Sequence, residues 1–172
     1  MIFPVAGESE VKMKQTVYIE TTIPSYYHNQ RTAPDLVALS QWTRDWWDNQ
    51  RQDYDLVTSS AVIDELRKGE HPLKQEKLAL MNSVRLLPYA DEIGRIVDVY
   101  IARKVMPNDP HGDALHLAYA SFYKCDVLLS WNCQHIVNYQ KAGHIQRING
   151  LLRLHVPALL TPFQLLGKEL NE

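Results

Sequence analysis

Cysteine is scarce in this chain: only Cys125 and Cys133 occur among 172 residues, in no CxxC pair and without histidine partners at zinc-finger spacing. A disulfide scaffold and a structural zinc module are excluded, and both thiols are expected to be reduced, in a cytoplasm. No apolar run approaches the roughly 20 residues of a membrane-spanning helix, and the opening MIFPVAGESEVKMKQ lacks the basic-then-apolar layout of a secretory signal. The expectation is a soluble, intracellular, cytoplasmic protein with no membrane partner. Neither sign of charge is in excess: 18 Lys and Arg against 20 Asp and Glu leave a net −2. A nucleic-acid coat held by bulk charge is excluded, so any nucleic-acid contact must use local patches. Repeats, linkers and low-complexity tracts are also lacking, which leaves one domain over residues 14–172. A chain of this length buries roughly 70% of the surface its unfolded form exposes, enough for a core without covalent staples. Residues 1–13 are polar and aperiodic and read as a disordered extension, so that Met13 is as good a start as Met1.

From Thr16 the pattern alternates between β-branched runs and helical periodicity. Thr16 to Ile19 reads as a buried strand, followed by a turn over Thr21 to Ser25. Pro34 sits well as a first helical residue, and Leu36, Leu39, Trp42 or Thr43, and Trp46 recur at helical spacing for about four turns. Asp55 to Thr58 is a second strand, Ser60 a plausible N-cap, and Ala61 to Arg67 a short helix stopped by Gly69 and Pro72. Helices follow over Leu73 to Asn82, Glu92 to Val105, Asp113 to about Tyr123 and His144 to Leu154, with strands at Val84 to Leu87 and in VLLSW, and a short edge segment in ALLTPFQLL. The rhythm predicts an α/β fold, a mostly parallel sheet with helices on both faces.

Three acids stand at the boundaries of this pattern: Glu20 in TVYIETTIPSYY, Glu65 in VTSSAVIDEL and Asp113 in HGDALHLAYA. Side chains at the carboxyl ends of parallel strands, and on the first turns of the following helices, converge on one crevice. Each acid alone has a plain structural reading, as a cap, a solvated face or a helix-dipole partner, but their joint placement points to oxygen-ligated Mg²⁺ or Mn²⁺. Carboxylates held close together repel, and a divalent cation resolves the repulsion. Mg²⁺ takes one or two carboxylates at roughly 2.0–2.1 Å and accepts phosphate oxygens besides. Such an ion orients and activates a water for in-line attack on a phosphodiester. Thr21 and Ser130 are candidates to brace ligands or water. His116 lies one turn beyond Asp113 on the same helical face and supports the site or packs beside it, while His111 of H-x-D-x-x-H reads as loop.

YIETTIPSYY, SSAVIDEL, DALHLA and CDVLLSWNCQHI, in this order and at these separations, resemble the PIN-domain family, and within it the VapC-type ribonuclease toxins of toxin–antitoxin pairs. The likeness covers roughly Thr16 to Leu166. It implies a three-layer α/β/α PIN-like fold, an acidic pocket binding Mg²⁺ or Mn²⁺ and metal-dependent cleavage of RNA. A small antitoxin protein would be the partner, and pairing into a homodimer is expected from apolar surface around Trp46, Trp47, Tyr26 and Tyr27. Matched residue by residue, the family's acids fall on Glu20, Glu65 and Asp113, the fourth on Asn132, and its usual hydroxyl on Ser130.

Two departures matter. Glu20 stands where aspartate is commoner, one methylene further from the backbone, and Asn132 is uncharged. Either the Asn132 carbonyl ligates the metal or orients its water, or the Asn132 amide donates to Glu20 or Asp113. The first is the favoured expectation. The uncharged Asn132 also keeps an alternative open, a catalytically weak PIN-like module that binds RNA or a protein partner without cutting. A phosphotransfer domain of the dehalogenase or receiver type would want a second acid close to Glu20, and Thr21 to Tyr27 contains none. Tyr26 and Tyr27 are candidates to stack on an unpaired base or to anchor in the core, Trp42, Trp46 and Trp47 read as core and interface, and Arg67 with Lys68 steers phosphate or forms a solvated pair.

Overall fold

The computed structural model describes residues 12–168. The expected extension over residues 1–13 therefore lies, apart from the exposed Lys12 and Met13, outside the described residues. Five strands form the sheet: β1 (Thr16–Ile19), β2 (Asp55–Ser59), β3 (Arg85–Leu87), β4 (Val127–Leu129) and β5 (Ala158–Leu160). Every pairing is parallel, in the order β3-β2-β1-β4-β5, so the sheet is wholly rather than mostly parallel. The central strands are the ones the sequence makes apolar throughout. Val17, Tyr18 and Ile19 of β1 and Val127, Leu128 and Leu129 of β4 are all buried, as strands covered on both faces must be.

Among the described residues eight α-helices connect and cover the strands: α1 (Thr22–Tyr27), α2 (Pro34–Gln50), α3 (Ser60–Arg67), α4 (Lys74–Leu80), α5 (Asp91–Ala102), α6 (Asp113–Phe122), α7 (Tyr139–Leu152) and α8 (Pro162–Lys168). Right-handed crossovers that step from β1 to β2 to β3 put α1–α4 on one face, and those running back to β4 and on to β5 put α5–α7 on the other. The packing agrees, since α1 lies against α2 and α4, and α5 against α6. The result is the three-layer α/β/α arrangement. Trp46 and Trp47 are 0% and 2% exposed and belong to its core. The expected docking surface around them is thus corrected: both indoles already pack inside the domain, edge-on to one another at 6.2 Å.

Local differences from the sequence pattern have local causes. Thr21 to Ser25 is not a turn; Thr22–Tyr27 is helical, with Pro24 in the first turn, where its missing N–H costs nothing, and Ile23 buried. The cap position of α3 is Ser59 rather than Ser60, and it makes no side-chain cap bond. Its hydroxyl is held instead by the Tyr18 phenol at 2.7 Å. Helix α7 begins earlier than the apolar spacing suggests because Asn138 caps it, its Oδ1 accepting from the Gln140 N–H at 3.0 Å. The terminal segment divides into β5 and α8, with Pro162 as the first residue of that helix.

The strand order reverses between β1 and β4. Chain leaving β1 crosses to β2, while β4 is reached from the far edge, so a crevice opens beyond the carboxyl ends of β1 and β4. One clamp fixes the segment after β4: the Trp131 indole N–H donates to Thr43 Oγ1 of α2 at 2.7 Å, and the ring stacks on Trp42 with centroids 6.2 Å apart. Thr43→Val keeps the shape but leaves the indole without its acceptor. A loss of about 1–2 kcal/mol is expected from chemical denaturation, since a half-buried donor is orphaned and the hydroxyl's own bond to the Leu39 carbonyl goes with it.

Candidate active site

Glu20 follows β1 directly, and its carboxylate is gripped from three directions. The Thr22 backbone N–H (3.0 Å), the Thr22 hydroxyl (2.6 Å) and the Ser130 hydroxyl (2.8 Å) all donate to Oε2. Oε1 receives none of these bonds. Ser130 in turn accepts the Asn132 N–H at 2.9 Å, and Thr22 Oγ1 accepts the Trp131 N–H at 2.8 Å, so the turn after β4 is tied to the turn after β1 through this one carboxylate. Thr22 is a residue the sequence reasoning passed over in favour of its neighbour. The available signal was its position two residues after the acid, where a short side chain and a backbone N–H both reach back to a preceding carboxylate.

Glu65, on α3, is held by the Thr21 hydroxyl at 2.6 Å on Oε2 and by His116 Nε2 at 2.8 Å on Oε1. His116 is 1% exposed and its other nitrogen, Nδ1, meets the Tyr18 phenol at 3.0 Å, which continues to Ser59. Tyr18 is the second residue missed. Its polar tip is invisible in a strand that reads only as apolar. Burial opposes a positive charge on His116, yet the hydrogen bond from Glu65 and the negative charges of Glu20, Glu65 and Asp113 outweigh it and raise its pKa above the ordinary imidazole value. Burial likewise opposes the Glu65 anion, and the His116 bond and charge, the Thr21 hydroxyl and Lys68 overcome it, so that its pKa is lowered.

One ligand atom each from Glu20, Glu65 and His116 lies within 4.8 Å of the others. Asp113 stands outside that tight group but within its field. Burial raises its pKa, against the lowering influence of His116, His135 and the Asn132 amide, and the Glu65 charge raises it further. Asn132 Nδ2 donates to Asp113 Oδ1 at 3.0 Å, and Oδ1 accepts the His135 N–H at 3.0 Å. The amide donation is the second of the two roles open to Asn132, and the carbonyl, with one bond accepted, keeps a lone pair for the first. The oxygen closes the turn after β4, and the amide holds Asp113 in place. Tyr26 and Tyr27 pack as anchors, against Trp131 and Trp47 respectively. Arg67 forms a solvated pair with Asp64 at 3.9 Å.

The donor set suits a hard divalent cation. Carboxylate oxygens of Glu20 and Glu65 beside the His116 imidazole could hold a divalent metal ion. His116, hydrogen-bonded at both nitrogens, orients Glu65 and supplies a countercharge to the acids.

Two predictions follow from these contacts. His116 has a raised pKa in the fold, so its contribution is fully present below the unfolded value and is lost as pH rises through the folded one; Glu65 has a lowered pKa, so its contribution is present above the unfolded value and is lost as pH falls through the folded one. The ion pair thus stabilises metal-free protein most between the ordinary values of 4.5 and 6.5. Thermal unfolding against pH in EDTA should show a fall as pH rises from the ordinary imidazole value of 6.5 through the raised His116 pKa, which His116→Gln removes. Asn132→Asp should push the Asp113 carboxyl still higher by setting a second acid where a donor stood, an upward shift readable by NMR titration of the Asp113 carboxyl carbon.

No protein-family model matches this sequence, and no curated protein sequence matches it significantly. Among solved structures, a chain of VapBC2 from Rickettsia felis, bound to a DNA fragment from its promoter, superposes with a TM-score of 0.55 at 13% identity, over 86% of this chain and 98% of that one. A chain of FitAcB from Neisseria gonorrhoeae gives 0.49 at 12% identity, over 86% of this chain and 98% of that one. The likeness to the VapBC2 chain is one of architecture, an all-parallel five-stranded sheet between helical layers, and by it this chain has a PIN-like α/β fold.

Proposed function

We propose that this protein is a Mg²⁺- or Mn²⁺-dependent endoribonuclease, the toxin of a toxin–antitoxin pair neutralised by a small antitoxin protein. The observation that carries the reading is the convergence of Glu20, Glu65 and His116 within 4.8 Å at the carboxyl ends of parallel strands, with Asp113 tied to Glu20 through Asn132 and Ser130. Glu20, Glu65 and Asp113 would hold the cation, which when bound activates a water and stabilises charge on the scissile phosphate. The residues of this chain do the positioning. Ser130 and Thr22 fix one oxygen of Glu20, Thr21 and His116 aim Glu65, and Asn132 sets the angle of Asp113.

The partner reading draws on the likeness to VapC-type toxins and on exposed apolar side chains at the β5 edge of the domain. Tyr139, Leu151, Val156 and Phe163 are exposed there, a place for an antitoxin segment or a second protomer. The alternative, a PIN-like module that binds RNA without cutting, is favoured by one feature: the Asn132 amide is given to Asp113 and its oxygen already accepts the His135 N–H, so the fourth position of the pocket brings no charge and only one free lone pair to a metal.

Calorimetric titration with Mn²⁺ and cleavage of total RNA with and without EDTA separate the two readings. Glu65→Ala and Asp113→Ala should each abolish Mn²⁺ binding and cleavage while the far-ultraviolet circular dichroism stays unchanged, because losing one of several repelling acids relieves the site, at Glu65 against the loss of the His116 bond. Loss of folding with unchanged metal affinity would make these acids structural. Thr22→Val, which removes a brace and not a ligand, should weaken Mn²⁺ binding by about 10–100-fold.

A further inference from the structure

Two hollows flank the acids, and their chemistry differs. On the β4 side a cavity of about 460 Å³ is walled by Lys104, Lys141, His135, Asn108 and apolar side chains including Met106, with no carboxylate in its lining. Neither lysine is in an ion pair among the described residues. The hollow is coupled to the acids: the His135 N–H donates to Asn132 Oδ1, and Asn132 Nδ2 reaches Asp113 Oδ1, each at 3.0 Å. On the other flank a cavity of about 370 Å³ is shared by Glu65 itself, Lys68, His111, Asp64 and Tyr89. Tyr89 is 59% exposed, and its hydroxyl lies 2.6 Å from where a Cβ on Gly94 would stand. Glycine there lets the ring lie against α5.

Sheet order places these hollows on opposite sides of Glu20. Glu65 and Lys68 follow β2, and Tyr89 follows β3, while His135 and Lys141 follow β4, with β1 between them. A net charge of −2 makes a cavity lined by cations alone, beside an acidic site, a local feature that bulk composition does not explain. Phosphates are held by lysine as a point charge and by imidazole N–H donors. An exposed ring face beside a cation takes an unpaired base, whereas a base inside a duplex has both faces stacked and is out of reach.

Resting on the nuclease reading of the acids, we propose that the two hollows are the arms of one track for single-stranded RNA. Phosphates are held at Lys104, Lys141 and His135 on one arm, an unpaired base stacks on Tyr89 on the other, and the strand crosses the acids between them.

The test reads binding rather than cleavage, by fluorescence anisotropy of a labelled single-stranded oligoribonucleotide in EDTA across a series of salt concentrations. Lys104→Ala and Lys141→Ala should each reduce the slope of log affinity against log salt by about 0.7, the value for one phosphate contact on a single strand. Tyr89→Ala should weaken binding on the order of tenfold with the slope unchanged, since stacking releases no counterions. Lys124→Ala, an exposed cation at the amino-terminal end of β4, should change neither quantity. The proposal is overturned if wild-type protein does not bind the oligonucleotide, if the groove lysines leave the slope unchanged, if Lys124→Ala lowers it as much as they do, if Tyr89→Ala leaves affinity intact, or if a duplex of the same length binds equally well. Binding with these signatures in a protein that cuts no RNA with Mn²⁺ would overturn the nuclease reading and leave the track standing.

Discussion

Carboxylates gathered in a half-buried crevice repel one another, and the rest of this site is organised around that repulsion. Ligand atoms of Glu20 and Glu65 lie within 4.8 Å, a separation at which two unit charges cost on the order of 3 kcal/mol at an effective dielectric constant near 20. That exceeds what a surface ion pair returns, roughly 0–1 kcal/mol. The protein meets it with a buried imidazole between the acids and with short hydroxyl donors on the remaining oxygens. His116 is the pivot. Its Nε2 holds Glu65, while Tyr18 and Ser59 hold its Nδ1, so a polar relay runs from the site into the central strands.

Rigidity comes from the same contacts that answer the charge. Glu20 Oε2 joins the turn after β1 to the turn after β4 through Thr22 and Ser130, and Trp131 fastens the second turn to α2 through Thr43. Carboxylates that could hold a metal are kept in place by neighbours whose own positions are fixed. The uncharged Asn132 fits this scheme as a strut. It spends its oxygen on the turn and its amide on Asp113, which makes three acids rather than four the chemical content of the pocket.

The surface around the site is uneven in its chemistry. Cations without acids line one flank, and an exposed tyrosine lines the other, so a chain with slightly more acid than base still carries places suited to phosphate and to a base. The aromatic residues nearest the start of the domain are not among them. Trp46 and Trp47 form the core, and Tyr26 and Tyr27 brace Trp131 and Trp47.

Strand identity, layer architecture and the rough bounds of most helices were legible in the sequence because they follow from hydrophobic period: VYI and VLL can only be strands covered on both sides, and the run from Pro34 to Gln50 keeps helical spacing throughout. Glu20, Glu65 and Asp113 were legible as candidates from their placement against the strand–helix pattern, where an α/β sheet places its chemistry, and Asn132 only through the resemblance to the PIN-domain family. Periodicity cannot say which atom of a side chain faces which neighbour. That His116 rather than Asp113 stands in the tight group with Glu20 and Glu65, that Thr22 rather than Thr21 braces Glu20, and that the Asn132 amide turns to Asp113 are matters of ångströms and rotamers. They are settled only when strands far apart in sequence align in register, since hydrogen bonds are directional and short whereas the hydrophobic pattern that drives folding is neither.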